Sequence, residues 1–299
     1  MTGATGAGDA RGEGPGELVV VATPIGNLAD LSRRAAEVLA TAAVVCCEDT
    51  RHTGRLLELA GVKARRLLSL HAHNEVAQIG AVLELLGGGA QVALVSDAGT
   101  PVISDPGGRL VGAVIGAGHR VTVVPGPSAG LAALVVSGLD VDRFRFEGFL
   151  PRKGAARRSR LGEIAASPCP TVVFEAPNRV AETLGDLLEA AGADRRVVVA
   201  RELTKLHEEV WRGRLDEARA RATAVEPRGE HVLVVDAAPP PAPRTGAEAR
   251  AAIGRLVAAG IGLREATSAV EILLGVSHRD AYAAALAVRG ATRAGAPTA

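Results

Sequence analysis

Apolar residues in the first half of this chain come in short runs, each cut off by a polar cluster rich in Gly, Pro, Asp or Thr. The runs are Leu18–Ala22, Val44–Cys47, Leu67–Leu70, Val92–Val95 and Val121–Val124. Four apolar residues in a row, as at Val92–Val95, fit a strand covered on both faces, as in a parallel sheet flanked by helices. Between the runs the spacing turns helical. Ala35, Val38 and Leu39 follow a cap at Asp30 or Ser32, a second helix runs from Arg51 to Gly61, and a third covers Leu110–Ala117. Ser128 stands where it would cap the helix after the last of these strands. The alternation of strand, polar loop and helix predicts a parallel, doubly wound α/β sheet.

Beyond Gly138–Asp142 the texture changes. Phe144–Leu150 alternates like a half-exposed strand, and a basic helical stretch follows it. Thr171–Phe174, Val197–Ala200 and His231–Val235 read as further strands of a second α/β unit, with more Arg and Glu in its loops. Pro239–Pro243 reads as a stiff linker, and residues 245–290 as a small module of amphipathic helices. Within it, Leu263–Leu274 and Ser277–Val288, joined through Gly275, have the pattern of a helix-turn-helix. The predicted organisation is a disordered leader over residues 1–16, α/β domains at 17–138 and 143–238, and helices at 245–290.

Composition narrows the function. Hydrophobic residues make up 47% of the 299 and aromatics only 2%, so the cores are built of Ala, Val and Leu. No apolar run approaches the roughly 18–20 residues of a membrane span. The start of the chain lacks the basic and apolar regions of a signal peptide, and Cys46, Cys47 and Cys169 form no disulfide or zinc pattern. These features predict a cytoplasmic protein that does not enter a membrane. A formal net charge of +1 gives no long-range pull on a polyanion. Together with so few aromatic rings for stacking, it makes a fixed, folded target more suitable than a flexible strand. The local exception is Arg143–Arg160, where seven basic residues accompany the single acidic Glu147.

The chemistry lies in the strand-end loops, since ligands of open α/β sheets sit at the carboxyl ends of the strands. The richest is Val92–Gly108, VALVSDAGTPVISDPGG. The chain has no P-loop, no G-x-S-x-G elbow and no HExxH, and the GEGPGE at Gly12–Glu17 precedes the first strand, where a phosphate loop has no helix to open. The scattered His residues make no metal-ligand set. Loops of this kind suit a large, mostly neutral cofactor held by backbone groups, a description that S-adenosylmethionine fits. Candidate bases at strand ends are Asp105, Glu175 and Glu202, with a turn or cap before Pro106 as the alternative role of Asp105. Asp49 is either an N-cap or part of the site. Arg51, His52, Arg179 and Lys205 suit either phosphates or structural ion pairs, and Arg152, Lys153 and Arg157 belong to the basic stretch.

In order along the chain stand VVATPIGNL (Val20–Leu28), EDTRHT (Glu48–Thr53), SDAGTPVISDPG (Ser96–Gly107), PGPS (Pro125–Ser128), EGFLPRK (Glu147–Lys153), ARELTK (Ala200–Lys205) and GEHVLV (Gly229–Val234). This ordered set, spanning roughly residues 17–238, resembles the tetrapyrrole-methylase fold family and specifically its RNA-modifying branch. The resemblance implies an α/β, two-domain tetrapyrrole-methylase-like enzyme (a class III methyltransferase) with a small C-terminal helical module. It also implies a homodimer that uses S-adenosylmethionine, bound between the domains, to 2′-O-methylate a cytidine of 16S rRNA in the small ribosomal subunit. Carried over residue by residue, the cofactor pocket would use Pro24, Ile25, Gly26, Thr100, Pro101, Val102, Ile103, Ser128, Ala129, Phe174, Ala200 and His231. Porphyrin-type members carry Gly-Asp-Pro where this chain has Gly99-Thr100-Pro101, and GxGPGD where it has Thr23–Asn27. Both departures argue against a tetrapyrrole substrate. Asn178 stands where the RNA branch usually shows His. The alternatives are a uroporphyrinoid methylase and a non-catalytic, nucleotide-sensing RNA-binding protein.

Overall fold

The computed structural model describes residues 16–224, 228–240 and 246–294, with side chains through Arg289. Nearly all of the leader read over residues 1–16, and residues 241–243 of the Pro-rich linker, lie outside them. The chain divides into two compact units, one ending at Ala238 and one beginning at Pro239.

The first unit holds two five-stranded sheets. The first is made of β1 (Glu17–Val21), β2 (Val44–Cys47), β3 (Leu67–Ser69), β4 (Gln91–Leu94) and β5 (Arg120–Val124), in the order β3-β2-β4-β1-β5. All its pairings are parallel. Helices α1 (Arg33–Thr41), α2 (Thr50–Leu59), α3 (Glu75–Gly87) and α4 (Gly108–Gly116) connect the strands. One apolar cluster, with Val19, Val21, Leu39 and Val45, covers one face, and another, with Leu18, Leu86, Leu94 and Leu110, covers the other. The inner strands β1, β2 and β4 have the two-sided burial expected of them, whereas the edge strands β3 and β5 do not. The edge strands have only one neighbouring strand, and Val123 of β5 is 52% exposed. Cys46 and Cys47 are buried strand residues, and burial pushes the Cys46 thiol up to about 12. Ser32 caps α1 through a 3.1 Å bond from the Ala35 amide, whereas Asp30 lies in a 3-10 turn. Helix α4 begins on Gly107, which has no capping side chain. The buried Glu75 carboxylate of α3 caps it instead, accepting from the Arg109 and Leu110 amides at 2.8 and 3.0 Å. An anion there also meets the positive end of the helix dipole.

The second sheet is made of β6 (Arg145–Phe149), β7 (Thr171–Glu175), β8 (Arg196–Arg201), β9 (Glu209–Arg214) and β10 (His231–Val235), in the order β6-β7-β10-β8-β9. Only β6 and β7 run parallel; the other neighbours are antiparallel. Helices α6 (Gly154–Ala165), α7 (Val180–Ala191) and α8 (Leu215–Ala224) cover one face around Ile164, Leu184, Leu187 and Leu233. The other face receives α5 (Ala129–Val135), whose Ala133 and Leu134 pack with Val172, Val198 and Val234. By sequence order α5 closes the first sheet; by packing it belongs to the second. Ser128 holds its N-cap position without a side-chain cap bond, so the capping role expected for its hydroxyl is not realised.

The second unit contains α9 (Gly246–Ala258), α10 (Leu263–Leu274) and α11 (His278–Ala294), gathered around Ile253, Ala266, Val270 and Ala281. Gly275 ends α10 in the left-handed region at φ 60°, the turn expected between these helices. No helix among the described residues is long and apolar enough to cross a membrane.

Candidate active site

The strand-end loops of the first sheet are strapped to one another. Thr23, after β1, exchanges backbone hydrogen bonds with Gly99, after β4, at 2.8 and 3.1 Å. The Thr23 hydroxyl donates to the Ser96 carbonyl at 3.2 Å, and the Thr100 hydroxyl to the Pro127 carbonyl, after β5, at 3.1 Å. Gly99 is necessary in this arrangement. Its φ is +82°, and a Cβ there would come within 3.3 Å of the Ile25 side chain. Farther along the same loop, Val102 and Ser104 take φ values of 75° and 69°. Left-handed backbone at a β-branched residue is strained, and strain of this kind is held only where surrounding contacts enforce it.

Between this loop cluster and the second sheet lies a cleft of about 360 Å³, within the usual range for small-molecule sites. Ile25, Gly99, Thr100, Ile103, Ser104 and Asp105 line it from the first sheet, with Ser128 and Ala129 at the start of α5. Phe149, Phe174, Glu230, His231 and Val232 line it from the second. Gly148 brings the two sides together. Its φ is +63°, and a Cβ there would stand 2.5 Å from the Ser104 hydroxyl.

Four carboxylates line the cleft, Asp97, Asp105, Glu175 and Glu230, and Asp105 is the one raised furthest from its ordinary value. Burial, opposed by a hydrogen bond from Ser96 and reinforced by the charges of Glu48 and Asp97, raises Asp105 from 3.8 to about 6. Glu48 is also raised, first by burial and then by Asp97. The cap before Pro106 considered for Asp105 is not its main feature; a carboxylate facing the cleft and short of stabilising partners is. Across from it, burial lowers His231. Its Nδ1 lies 3.0 Å from the Gly229 carbonyl, an acceptor only, so that nitrogen carries the proton.

The other two candidate bases are differently placed. Glu175 borders the cleft, but its oxygens are occupied: Oε2 accepts from the Thr183 hydroxyl at 2.5 Å and Oε1 from the Ala176 amide at 3.0 Å. Glu202 does not line the cleft. Its Oε1 accepts from Lys205 Nζ at 2.8 Å and the Glu230 amide at 2.9 Å, and these bonds, Lys205 first, hold it below the usual carboxylate range. The oxygens of Glu175 and the Oε1 of Glu202 are thus engaged, whereas Asp105 faces the cleft.

Among the cofactor candidates, Ile25, Thr100, Ile103, Ser128, Ala129, Phe174 and His231 line the cleft. Pro24 and Pro101 are buried behind it, and Gly26 lies against Lys205, whose Cγ would be 2.3 Å from a Cβ at that position. Val102 packs on the core between β4 and α4, and Ala200 is wholly buried on β8, paired with Val232 of the neighbouring β10. None of these five lines the cleft.

The basic candidates also divide. Arg51, His52, Arg152 and Lys153 are exposed, Arg51 alongside its helix cap Asp49 at 3.3 Å. Arg157 is buried at 4% exposure, which corrects its reading as a phosphate contact. It donates to Asp186 at 2.6 Å, the Pro151 carbonyl at 3.0 Å and the Thr183 hydroxyl at 2.9 Å, tying α6 to α7. Arg179 sits 3.6 Å from Glu175, and Lys205 bridges Glu202 and Glu230. Sequence reasoning passed over Asp97, Phe149 and Glu230 as cleft residues. Each lies inside a quoted motif, which is the signal that contained them.

A match to the tetrapyrrole (corrin/porphyrin) methylases spans residues 17–219, both sheets of the first unit up to α8. The chain belongs to this family. Within it, the chain is 47% identical to a ribosomal RNA small subunit methyltransferase I of Mycobacterium tuberculosis over 279 residues, 93% of this chain and 97% of that one. The protein of the same name from Xylella fastidiosa is 52% identical over 226 residues, 75% of this chain and 82% of the other. Of solved structures, a cobalamin biosynthetic enzyme, cobalt precorrin-4 methyltransferase, superposes with a TM-score of 0.56 at 16% identity, covering 74% of this chain and 94% of that one. A uroporphyrin III C-methyl transferase from Thermus thermophilus gives 0.55 at 20%, covering 74% and 97%. At these identities the likeness is one of fold. The two-domain methylase architecture with added C-terminal helices is therefore the fold of this chain.

Proposed function

We infer that this protein is an S-adenosylmethionine-dependent methyltransferase that 2′-O-methylates a cytidine of 16S rRNA in the small ribosomal subunit. The observation that carries this reading is the similarity, over nearly the full length of both chains, to relatives named as rRNA small subunit methyltransferases. The cleft supplies fitting chemistry. Its apolar wall (Ile25, Ala129, Phe174, Val232) suits an adenine, and the strapped loop Gly99–Ser104 suits a ligand held by backbone groups. When bound there, S-adenosylmethionine supplies a methyl group carried on a sulfonium. The chain's own part is to orient the acceptor ribose, to limit water and to take up one proton. Asp105, with its pKa raised to about 6, is mostly ionised at neutral pH and still basic enough to accept the proton of the 2′-hydroxyl. Orientation contributes more than the base, since effective molarities reach about 10⁵–10⁸ M against roughly 10²–10⁴-fold for proton transfer. The exposed Arg51, His52, Arg152 and Lys153 are the phosphate contacts of this reading, which places the protein's work in the cytoplasm, where small subunits are.

The same reading includes a homodimer. Leu131 and Val135 on α5 are 53% and 81% exposed, apolar side chains that a second copy would cover. Sedimentation at working concentration checks it; a monomer would remove it.

The central test incubates the protein with labelled methyl donor and small subunits lacking the modification, then maps the labelled nucleotide. Label on a ribose of a 16S cytidine is expected. Transfer instead to a uroporphyrinoid, or donor binding with no transfer to either, would overturn the reading.

A further inference from the structure

The chain has only four phenylalanines; Phe146, Phe149 and Phe174 lie on the neighbouring strands β6 and β7, and Phe144 immediately precedes β6. In a regular strand Phe146 and Phe149, three residues apart, would face opposite sides of the sheet. They do not. The pairing of β6 with β7 slips between Phe146 and Gly148, so that Phe149 comes to lie beside Phe174. The extra residue turns both rings to the side of Phe174, with centroids at 5.2 Å for Phe146 and 5.7 Å for Phe149, each edge to face. A bulge of this kind re-aims a side chain, and the positive φ of Gly148 is the backbone that permits it.

Phe174 is half-buried, and Phe146, 38% exposed, has a ring carbon 3.5 Å from where a Gly130 Cβ would be. Phe149 is not covered. It is 59% exposed and lines the same cleft as Asp105. Leaving a large aromatic face in water forgoes the stabilisation that its burial would contribute. Three and four residues farther on, Arg152 and Lys153 extend into solvent and make no ion pair among the described residues. An aromatic face beside two free cations is the pairing that grips single-stranded nucleic acid, the ring stacking on a base and the cations holding phosphates.

We propose that Phe149 is the stacking platform for the base of the target nucleotide, holding its ribose over Asp105, with Arg152 and Lys153 on the flanking phosphates. The proposal rests on the rRNA methyltransferase reading above and adds the residue that positions the acceptor. Aromatic residues are scarce along this chain, but the fold sets three of the six, Phe146, Phe149 and Phe174, together beside the cleft.

The test compares Phe149→Ala, Phe149→Leu and Phe149→Tyr with the native protein in steady-state methyl transfer to unmodified small subunits, alongside calorimetric binding of S-adenosylmethionine. The Ala variant is expected to lose about ten- to a hundredfold in kcat/KM for the subunit, the range for one lost base–aromatic stack. Tyr should restore most of the loss, Leu should not, and all variants should keep native donor affinity, which also reports that they are folded. If the native protein is active and Ala or Leu retains its kcat/KM, the platform is overturned while the methyltransferase reading stands. If donor affinity falls in step with transfer, the ring holds the donor and the proposal fails. Absence of transfer by the native protein would remove both.

Discussion

The two sheets of the first unit treat charge in opposite ways. At the strand ends of the second sheet nearly every carboxylate is met by a cation or a donor. Glu175, Thr183, Arg157 and Asp186 form one hydrogen-bonded chain, and Glu202, Lys205 and Glu230 form another. Arg145 pairs with both Glu147 and Glu163 on the edge beside the basic helix. At the strand ends of the first sheet Glu48, Asp97 and Asp105 gather without a Lys or Arg ion pair among the described residues, and two of them are pushed up by burial and by one another. Like charges brought together out of water raise pKa values, and sites of proton transfer are where proteins leave such groups unpaired. The paired carboxylates tie the second sheet's loops together; Glu48, Asp97 and Asp105 have no Lys or Arg partner of that kind among the described residues.

The sharpest way to break this comparison is to neutralise the unpaired group. Asp105→Asn should lower methyl transfer by about 10²–10⁴-fold with donor affinity retained. In the native protein the rate should rise with pH through about 6 as Asp105 ionises, and the variant's pH profile should lose that limb. Single-turnover transfer to small subunits across pH 5 to 8 measures both. A variant with native rates would make the charge asymmetry irrelevant to catalysis.

The matching change in the second sheet should act on stability. Arg157→Ala leaves Asp186 and Thr183 without their buried donor and should cost about 3 kcal/mol in urea unfolding. Activity per folded molecule should be preserved, and a specific loss of transfer without a loss of stability would return Arg157 to the substrate side. Glu202→Gln, which keeps one acceptor oxygen, should change transfer by less than about threefold and stability by less than about 1 kcal/mol. A loss as large as that of Asp105→Asn would restore Glu202 as a base.

A subtler consequence concerns pH and stability. Because folding raises Asp105, the native state binds more protons than the unfolded chain between pH 3.8 and about 6, so its ionisation makes stability fall as pH rises through that window. Asp105→Asn should therefore melt above the native protein at pH 8 and lose that advantage at pH 4, as calorimetric scans would show. The smallest effect is expected from the helical unit. Every residue lining the cleft lies between Ile25 and Val232, so a chain ending at Ala238 should bind S-adenosylmethionine within about twofold of native affinity. Loss of binding in that folded form would mean that the cleft is not the donor site.

The amino-acid sequence by itself determined the strands of the first sheet, the order of the loops, the family and the short helices of the C-terminal unit. These follow from local properties: a run such as Val92–Val95, closed at once by turn residues, is too short for a helix and suits a strand buried on both faces, and Thr100-Pro101 or Pro125-Gly126 interrupts a strand. Tertiary structure alone decided what the polar residues do. β9 was not legible, because an edge strand reading EVWRGR is half exposed and lacks the uninterrupted apolar run by which the inner strands are recognised. The packing of α5 on the second sheet was hidden because adjacency in sequence points to the first. Glu175, Glu202 and Asp105 look alike as acids after apolar runs. They part ways only when the fold brings Thr183 to the first, Lys205 to the second, and other carboxylates but no cation to the third. Phe149 likewise became a cleft residue through a one-residue slip in β6. Pairing and burial depend on neighbours that arrive from elsewhere in the chain, and that is the information a local pattern does not contain.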